Sequence, residues 1–152
     1  MAEVTFDTFL TKLQALQKAI KITSPAVVQV KETYWGATPQ AITDLPCIIN
    51  ALTESDRVIG FGTRDQKLRV NVQCFAAKAE TEPARSSRIA TALWFAAKDA
   101  FDEDITIGGT VSLSVLRGAE PTVPVILQHA GQAYIGFDAY LDIEDVEGFT
   151  FG

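Results

Sequence analysis

The residues able to carry chemistry are few, and they are scattered. The single histidine, His129, lies in Gln128-His129-Ala130-Gly131-Gln132, a turn sequence. A catalytic histidine needs a nucleophile to serve, yet no cysteine lies near it in sequence and there is no Gly-x-Ser-x-Gly elbow. One histidine also excludes the common multi-histidine metal sites. Cys47 and Cys74 each sit inside an apolar segment with no second ligand at metal-site spacing, and they read as small core hydrophobes. A disulfide would require their two strands to face each other, and a reducing cytoplasm opposes it. Gly60-Phe61-Gly62 starts like a dinucleotide-binding loop, but Asp65 stands where the third glycine belongs and a strand follows where a helix should begin. There is no Walker A sequence. Asp102-Glu103-Asp104 could offer oxygens to a cation, but it lacks the alternating spacing and bidentate glutamate of a calcium loop. No pair of carboxylates is favoured for glycosidase-type work. The expectation is a chain that is not an enzyme and uses no cofactor or metal.

Aromatic residues at odd places point instead to contacts with other proteins. Tyr34-Trp35 lies in a stretch with Gly36 and Pro39, where exposed aromatics would suit an interface; the alternative is that Trp35 folds back over the sheet edge. Phe149-Thr150-Phe151 must dock either on its own domain or on a neighbour's. Trp94 and Phe95 widen the apolar stripe of a helix beyond what one sheet face covers, so that helix is expected to meet both a sheet and another subunit. The candidate interface residues are Tyr34, Trp35, Arg64, Asp65, Trp94, Phe149 and Phe151.

The net charge of −6 is placed unevenly. Residues 1–117 hold all 13 basic residues and balance them with acids. Residues 118–152 hold no Lys or Arg and carry Glu120, Asp138, Asp142, Glu144, Asp145 and Glu147. This reads as a solvated acidic edge, or as a surface that meets a basic partner or repels nucleic acid. Direct DNA binding, which needs clustered cations against phosphate, is disfavoured. The 152 residues suit one domain, with 144–152 as an extended C-terminal tail. No apolar run approaches the ~20 residues of a membrane helix. The N-terminus lacks the basic and apolar segments of a signal peptide, so synthesis and residence in a cytoplasm are expected.

The elements that must position these residues follow from periodicity. Thr5 caps a helix whose buried face carries Phe6, Phe9, Leu10, Leu13, Leu16 and Ile20, stopping before Pro25. Residues 26–30 read as a strand and 33–44 as irregular. Leu45 to Leu52 is a continuous apolar run, suited to a strand covered on both faces. Val58 to Thr63 and Lys67 to Ala77 form a hairpin around the polar turn Arg64-Asp65-Gln66. In its second arm Leu68, Val70, Val72, Cys74 and Ala76 share one face. A second helix starts at Thr81-Glu82-Pro83 and stops at Asp102-Glu103-Asp104. Gly108-Gly109 then makes a bend. Val111, Leu113 and Val115 alternate in a strand, Val123 to Gln128 is an edge strand because of Pro124, and Ala133 to Ile143 is a long final strand with Ile135, Phe137, Ala139, Leu141 and Ile143 on one face. Strands in runs rather than alternating with helices predict an α+β fold, with a mainly antiparallel sheet and two helices packed on it.

This order resembles the tail terminator proteins of long-tailed, siphophage-type bacteriophages. The likeness covers about residues 5–143. It rests on the N-terminal amphipathic helix, Leu45-Pro46-Cys47-Ile48-Ile49 as first core strand, the hairpin around Arg64-Asp65, and the alanine-rich second helix. Asp104-Ile105-Thr106-Ile107-Gly108-Gly109-Thr110-Val111 comes next, then Tyr134-Ile135-Gly136-Phe137 leading into Leu141-Asp142-Ile143. The resemblance implies a late structural virion protein, made in the host cytoplasm, that assembles as a homo-oligomeric ring, a hexamer. The ring would sit on the last ring of the major tail tube protein, end tail polymerisation and offer a surface to the head-side connector. The hairpin at 58–77 would be an inter-subunit arm, and an acidic lining at 138–147 would let DNA pass the lumen without binding. A neck or head-completion connector is a competing reading, and a small cytosolic ligand-binding domain is another.

Overall fold

The computed structural model describes residues 4–36, 42–60, 63–119, 123–145 and 149–150, with side chains for all of these except 54–60, 63–66, 145, 149 and 150. The elements in chain order are β1 (Val4–Thr5), α1 (Phe6–Lys18), β2 (Lys21–Ile22), β3 (Val28–Gln29), β4 (Glu32–Trp35), β5 (Cys47–Gly60), β6 (Thr63–Lys78), α2 (Pro83–Glu103), β7 (Leu113–Gly118), β8 (Val125–His129), β9 (Gln132–Asp145) and β10 (Phe149–Thr150). The fold is α+β. A six-stranded sheet runs β4-β5-β6-β9-β7, with β8 also on β9. A strand has two edges, so β7, against residues 139–144, and β8, against 132–136, share the edge of β9 that β6 leaves open. The sheet is mixed rather than purely antiparallel, because β4 runs parallel to β5.

The inner face follows from the period of two. Leu68, Val70, Val72 and Cys74 of β6 line up with Ile143, Leu141, Ala139 and Phe137 of β9, and all eight are buried. Both helices cover this face. Thr5 caps α1 as its sequence predicts, its Oγ1 accepting the Thr8 N–H at 3.1 Å, and Phe9 and Leu13 enter the core fully buried. From α2, Ala90, Leu93, Ala97 and Phe101 do the same, at the i, i+3, i+4 spacing of one face. Burying each large side chain contributes about 1.5–3 kcal/mol.

Several elements differ from the sequence expectation. The strand expected at 26–30 is only Val28–Gln29, paired with Lys21–Ile22. Residues 33–35, expected to be irregular, belong to β4, because the neighbouring β5 offers a ladder that local sequence does not reveal. The two strands expected at 45–52 and 58–63 are one strand, β5, with a register shift between Leu52 and Glu54. Arg64-Asp65-Gln66 is not the turn: these residues lie within β6, paired with Ile59, Val58 and Arg57, and the tip at 61–62 lies outside the described residues. In β7 the alternating apolar residues lie on the outer side. Ser114 and Leu116 point inward, while Leu113 and Val115 share the outer face with Glu144 and Asp142. Of the residues expected as a tail at 144–152, 144 and 145 belong to β9 and Phe149–Thr150 pairs with Val4–Thr5; the others lie outside the described residues.

The bend after α2 is built by one carboxylate. The Gly108 N–H donates to both Asp104 oxygens, at 2.9 and 3.1 Å, and the Gly109 N–H donates to Thr106 Oγ1 at 3.2 Å. Ile107, Gly108 and Gly109 all take left-handed φ values, 48°, 65° and 79°. Such a φ strains a β-branched isoleucine, and here the Ile107 side chain is fully buried in the core. Asp104 is therefore engaged by its own loop.

Candidate functional site

The outer face of the sheet divides in two. Near β4 and β8, Ile42, Cys47, Ile49, Phe75, Leu127 and Tyr134 form a second small core, with Tyr34, Leu45 and Val125 packed against it. Tyr34 is thus part of an apolar layer, and burial, ahead of the neighbouring Cys47 and acidic groups, pushes its hydroxyl pKa up. His129 closes the β8–β9 hairpin, its ring edge-on to Phe75 at 6.1 Å. Toward β7 the same face is polar. Asp142 accepts Arg69 Nε and Arg117 Nε on its two oxygens, both at 2.8 Å, and Arg69 lies 4.9 Å from the centre of the Tyr140 ring. Asn71 donates to Asp138 at 2.7 Å, and Lys67 stands 3.7 Å from Glu144.

This lattice changes the meaning of the charge asymmetry. The acids at 138, 142 and 144 come from a stretch without cations, but β9 sits between β6 and β7, which supply Lys67, Arg69, Asn71 and Arg117 as neighbours. In space Asp142 and Glu144 have cations beside them and Asp138 an amide, so these three do not stand as isolated negative charges. Half-exposed pairs of this kind contribute at most about 1 kcal/mol each.

The cysteines sit on adjacent strands but one register step apart: Cys47 is opposite Phe75 and Ile48 is opposite Cys74. They therefore point to opposite faces, and both are buried free thiols. Burial, with smaller contributions from Asp44 and Glu32, pushes the Cys47 thiol up to about 12, and burial drives Cys74 up as well. Native protein should therefore resist thiol reagents at pH 8 and react with both thiols once unfolded. The sign of the linkage is set by the raised folded-state values: the unfolded chain loses thiol protons first, so this contribution to stability is full below about pH 8.5 and falls as pH rises toward 12. Denaturation midpoints at pH 8 and pH 10 for the wild type and Cys74→Val check it, the variant losing less. Labelling of folded protein at pH 8 at the unfolded rate would contradict it.

The candidate interface residues do not form one site. Trp35 turns inward, its ring 5.6 Å from Phe6 of α1 and edge-on to it. Trp94 also faces inward, 5.3 Å from Phe137. The aromatic that α2 leaves in solvent is the next residue, Phe95, 63% exposed. Arg64 and Asp65 pair along the β5–β6 ribbon by their backbones, and their side chains lie outside the described residues, as does that of Phe149; Phe151 lies wholly outside them. Among the described residues the exposed large apolar side chains are Val27, Leu52, Phe95, Ile105, Leu113, Val115 and Ile126, and of these the helix pattern had singled out Phe95. A shallow groove of about 430 Å³ runs beside Phe95, lined by Ser24, Pro25, Ser87, Arg88, Thr91 and Ala92.

Among the described residues no group of three or more His, Cys, Asp or Glu side chains gathers to hold a metal, and no helix is long and apolar enough to cross a membrane. No protein-family model and no curated protein matches this chain.

Proposed function

We propose that this chain is a structural subunit of a phage tail, of the tail terminator kind: a homo-oligomeric ring, a hexamer, that caps the tail tube, ends its polymerisation and joins it to the head-side connector. The observation that carries the reading is the overhang of the β5–β6 hairpin. Among the described residues the pairing of β6 with β9 ends at Gln66↔Asp145, while β5 and β6 stay paired through Val58↔Asp65 and Ile59↔Arg64 to Gly60↔Thr63. A two-stranded ribbon is marginal by itself in water. An arm that outruns its own sheet and carries Val58 and Ile59 gains stability by lying on a neighbouring subunit. Leu113, Val115 and Ile126, all exposed on β7 and β8, supply further apolar surface at the sheet edge. The α+β architecture agrees with the terminator resemblance. In this reading the mechanism is steric, with no catalysis and no cofactor: one ring face fits the tube and the other refuses another tube ring. The test is the length of tails made without this chain.

A further inference from the structure

The charges of α2 are placed against the helix's own interest. A helix favours acids in its first turn and cations in its last, each worth about 0.3–1 kcal/mol. Helix α2 has no acid in its first turn and no cation in its last. Its most exposed charges run the other way, Arg85 and Arg88 early, then, beyond Phe95, Asp99, Asp102 and Glu103; within the helix itself Glu82 at the N-cap lies 3.8 Å from Arg85 and Lys98 lies 3.0 Å from Asp102. Arg88 and Asp102 stand about two helical turns to either side of Phe95, on the same outward stripe. Such a stripe is complementary to itself when reversed.

From this we infer that two copies of the chain pair through α2, antiparallel, about a two-fold axis at Phe95. The occupant of the Phe95 groove is then the partner's Phe95, seated on Ala92 and Thr91 against the wall made by Pro25. Arg88 meets the partner's Asp102 at both ends of the contact, on the carboxylate oxygen that its own Lys98, bonded to Oδ1, leaves open, and Thr91 meets the partner's Asp99. The antiparallel arrangement also sets the basic end of each helix beside the acidic end of the other, which relieves the misplacement in both. Trp94, one position away, cannot serve, because it is committed to Phe137 in the core.

This contact is independent of the ring. A two-fold contact closes with two copies, whereas a ring needs head-to-tail contacts, for which the arm and the β7 edge remain. It therefore describes the free chain before it joins a tail. One helix face is a small interface, so the dimer is expected to be weak and to dissociate on dilution.

Sedimentation of the full chain over a range of concentrations tests the pairing. Arg88→Asp and Asp102→Arg should each weaken the dimer at least tenfold, and the double variant should restore it. Phe95→Ser should abolish it without lowering the melting temperature, since Phe95 lies outside the core. Geometry gives a second readout. Under mild copper-phenanthroline oxidation Phe95→Cys should cross-link rapidly to its own copy, because that position lies on the axis, while Arg88→Cys should not. A wild type that stays monomeric at every concentration, a double variant without rescue, or equal cross-linking at both positions would overturn the inference. None of these results bears on tail capping, which the length of tails reports separately.

Discussion

Replacing Gly136 with alanine is expected to cost the fold about 3 kcal/mol or more. Gly136 lies in β9 between Phe75 of β6 and Val125 of β8, where the β6–β9 register slips between Phe75 and Ala77. A Cβ there would be driven into the Cys74 carbonyl oxygen, and it would lie 2.9 Å from the carbonyl carbon and 3.3 Å from Phe75 Cα. All three are backbone atoms of the central strand, so no side chain can swing aside, and relief requires breaking the ladder that carries both cores. At about 2–4 °C per kcal/mol for a chain of this size, the melting temperature should fall by roughly 10 °C. Gly131→Asn is the control. Its φ of 80° suits asparagine, and nothing lies within 4 Å of the added Cβ. Denaturant midpoints compare the two; a Gly136→Ala protein within 1 kcal/mol of wild type would refute the close approach.

The second large effect belongs to a polar pair in the inner core. Gln17 of α1 and Asn50 of β5 are both fully buried and exchange two hydrogen bonds, Gln17 Nε2 to Asn50 Oδ1 at 2.7 Å and Asn50 Nδ2 to Gln17 Oε1 at 2.8 Å. Asn50 Nδ2 also donates to the Tyr34 carbonyl at 3.1 Å, which ties β4 to the same point. Stranding a buried polar group costs about 1–3 kcal/mol. Asn50→Leu strands both ends of the Gln17 amide, so about 3 kcal/mol is expected. Gln17→Leu should cost somewhat less, because Asn50 keeps Tyr34. The double variant should be clearly more stable than the sum of the singles implies, with a coupling of at least ~1 kcal/mol. Additive losses would mean the amides are satisfied independently.

Legibility in the sequence followed the range of the forces involved. The inner sheet face, the Thr5 cap, the Pro83 start of α2 and the glycine bend are local patterns, and the residues concerned take those roles. Strand β4 is four residues long and exists because β5 lies beside it, so periodicity had nothing to register. Polarity points to a turn at Arg64, but polarity alone does not separate a turn from a strand, and these residues pair within β6. The alternation of Leu113 and Val115 marks a strand without saying which face is inner, and the core at that edge accepts Ser114 and Leu116. Gln17 carried a usable signal, standing four residues after Leu13 and eight after Phe9 on the buried stripe. Among the candidate interface residues the neighbouring aromatic was the better one: the 100° step from Trp94 to Phe95 takes the ring out of the core. Sequence counts charges along a line, whereas the sheet sets a cation on each side of Asp142, Arg69 from β6 and Arg117 from β7.

The central claim is that the chain stops tail growth. Its most direct measurement is the distribution of tail lengths, by negative-stain electron microscopy, when the gene is deleted from the genome that encodes it. The account predicts tubes that overrun their normal length and carry no heads, with normal length restored when the wild-type chain is supplied. Tails of normal length in its absence would contradict it.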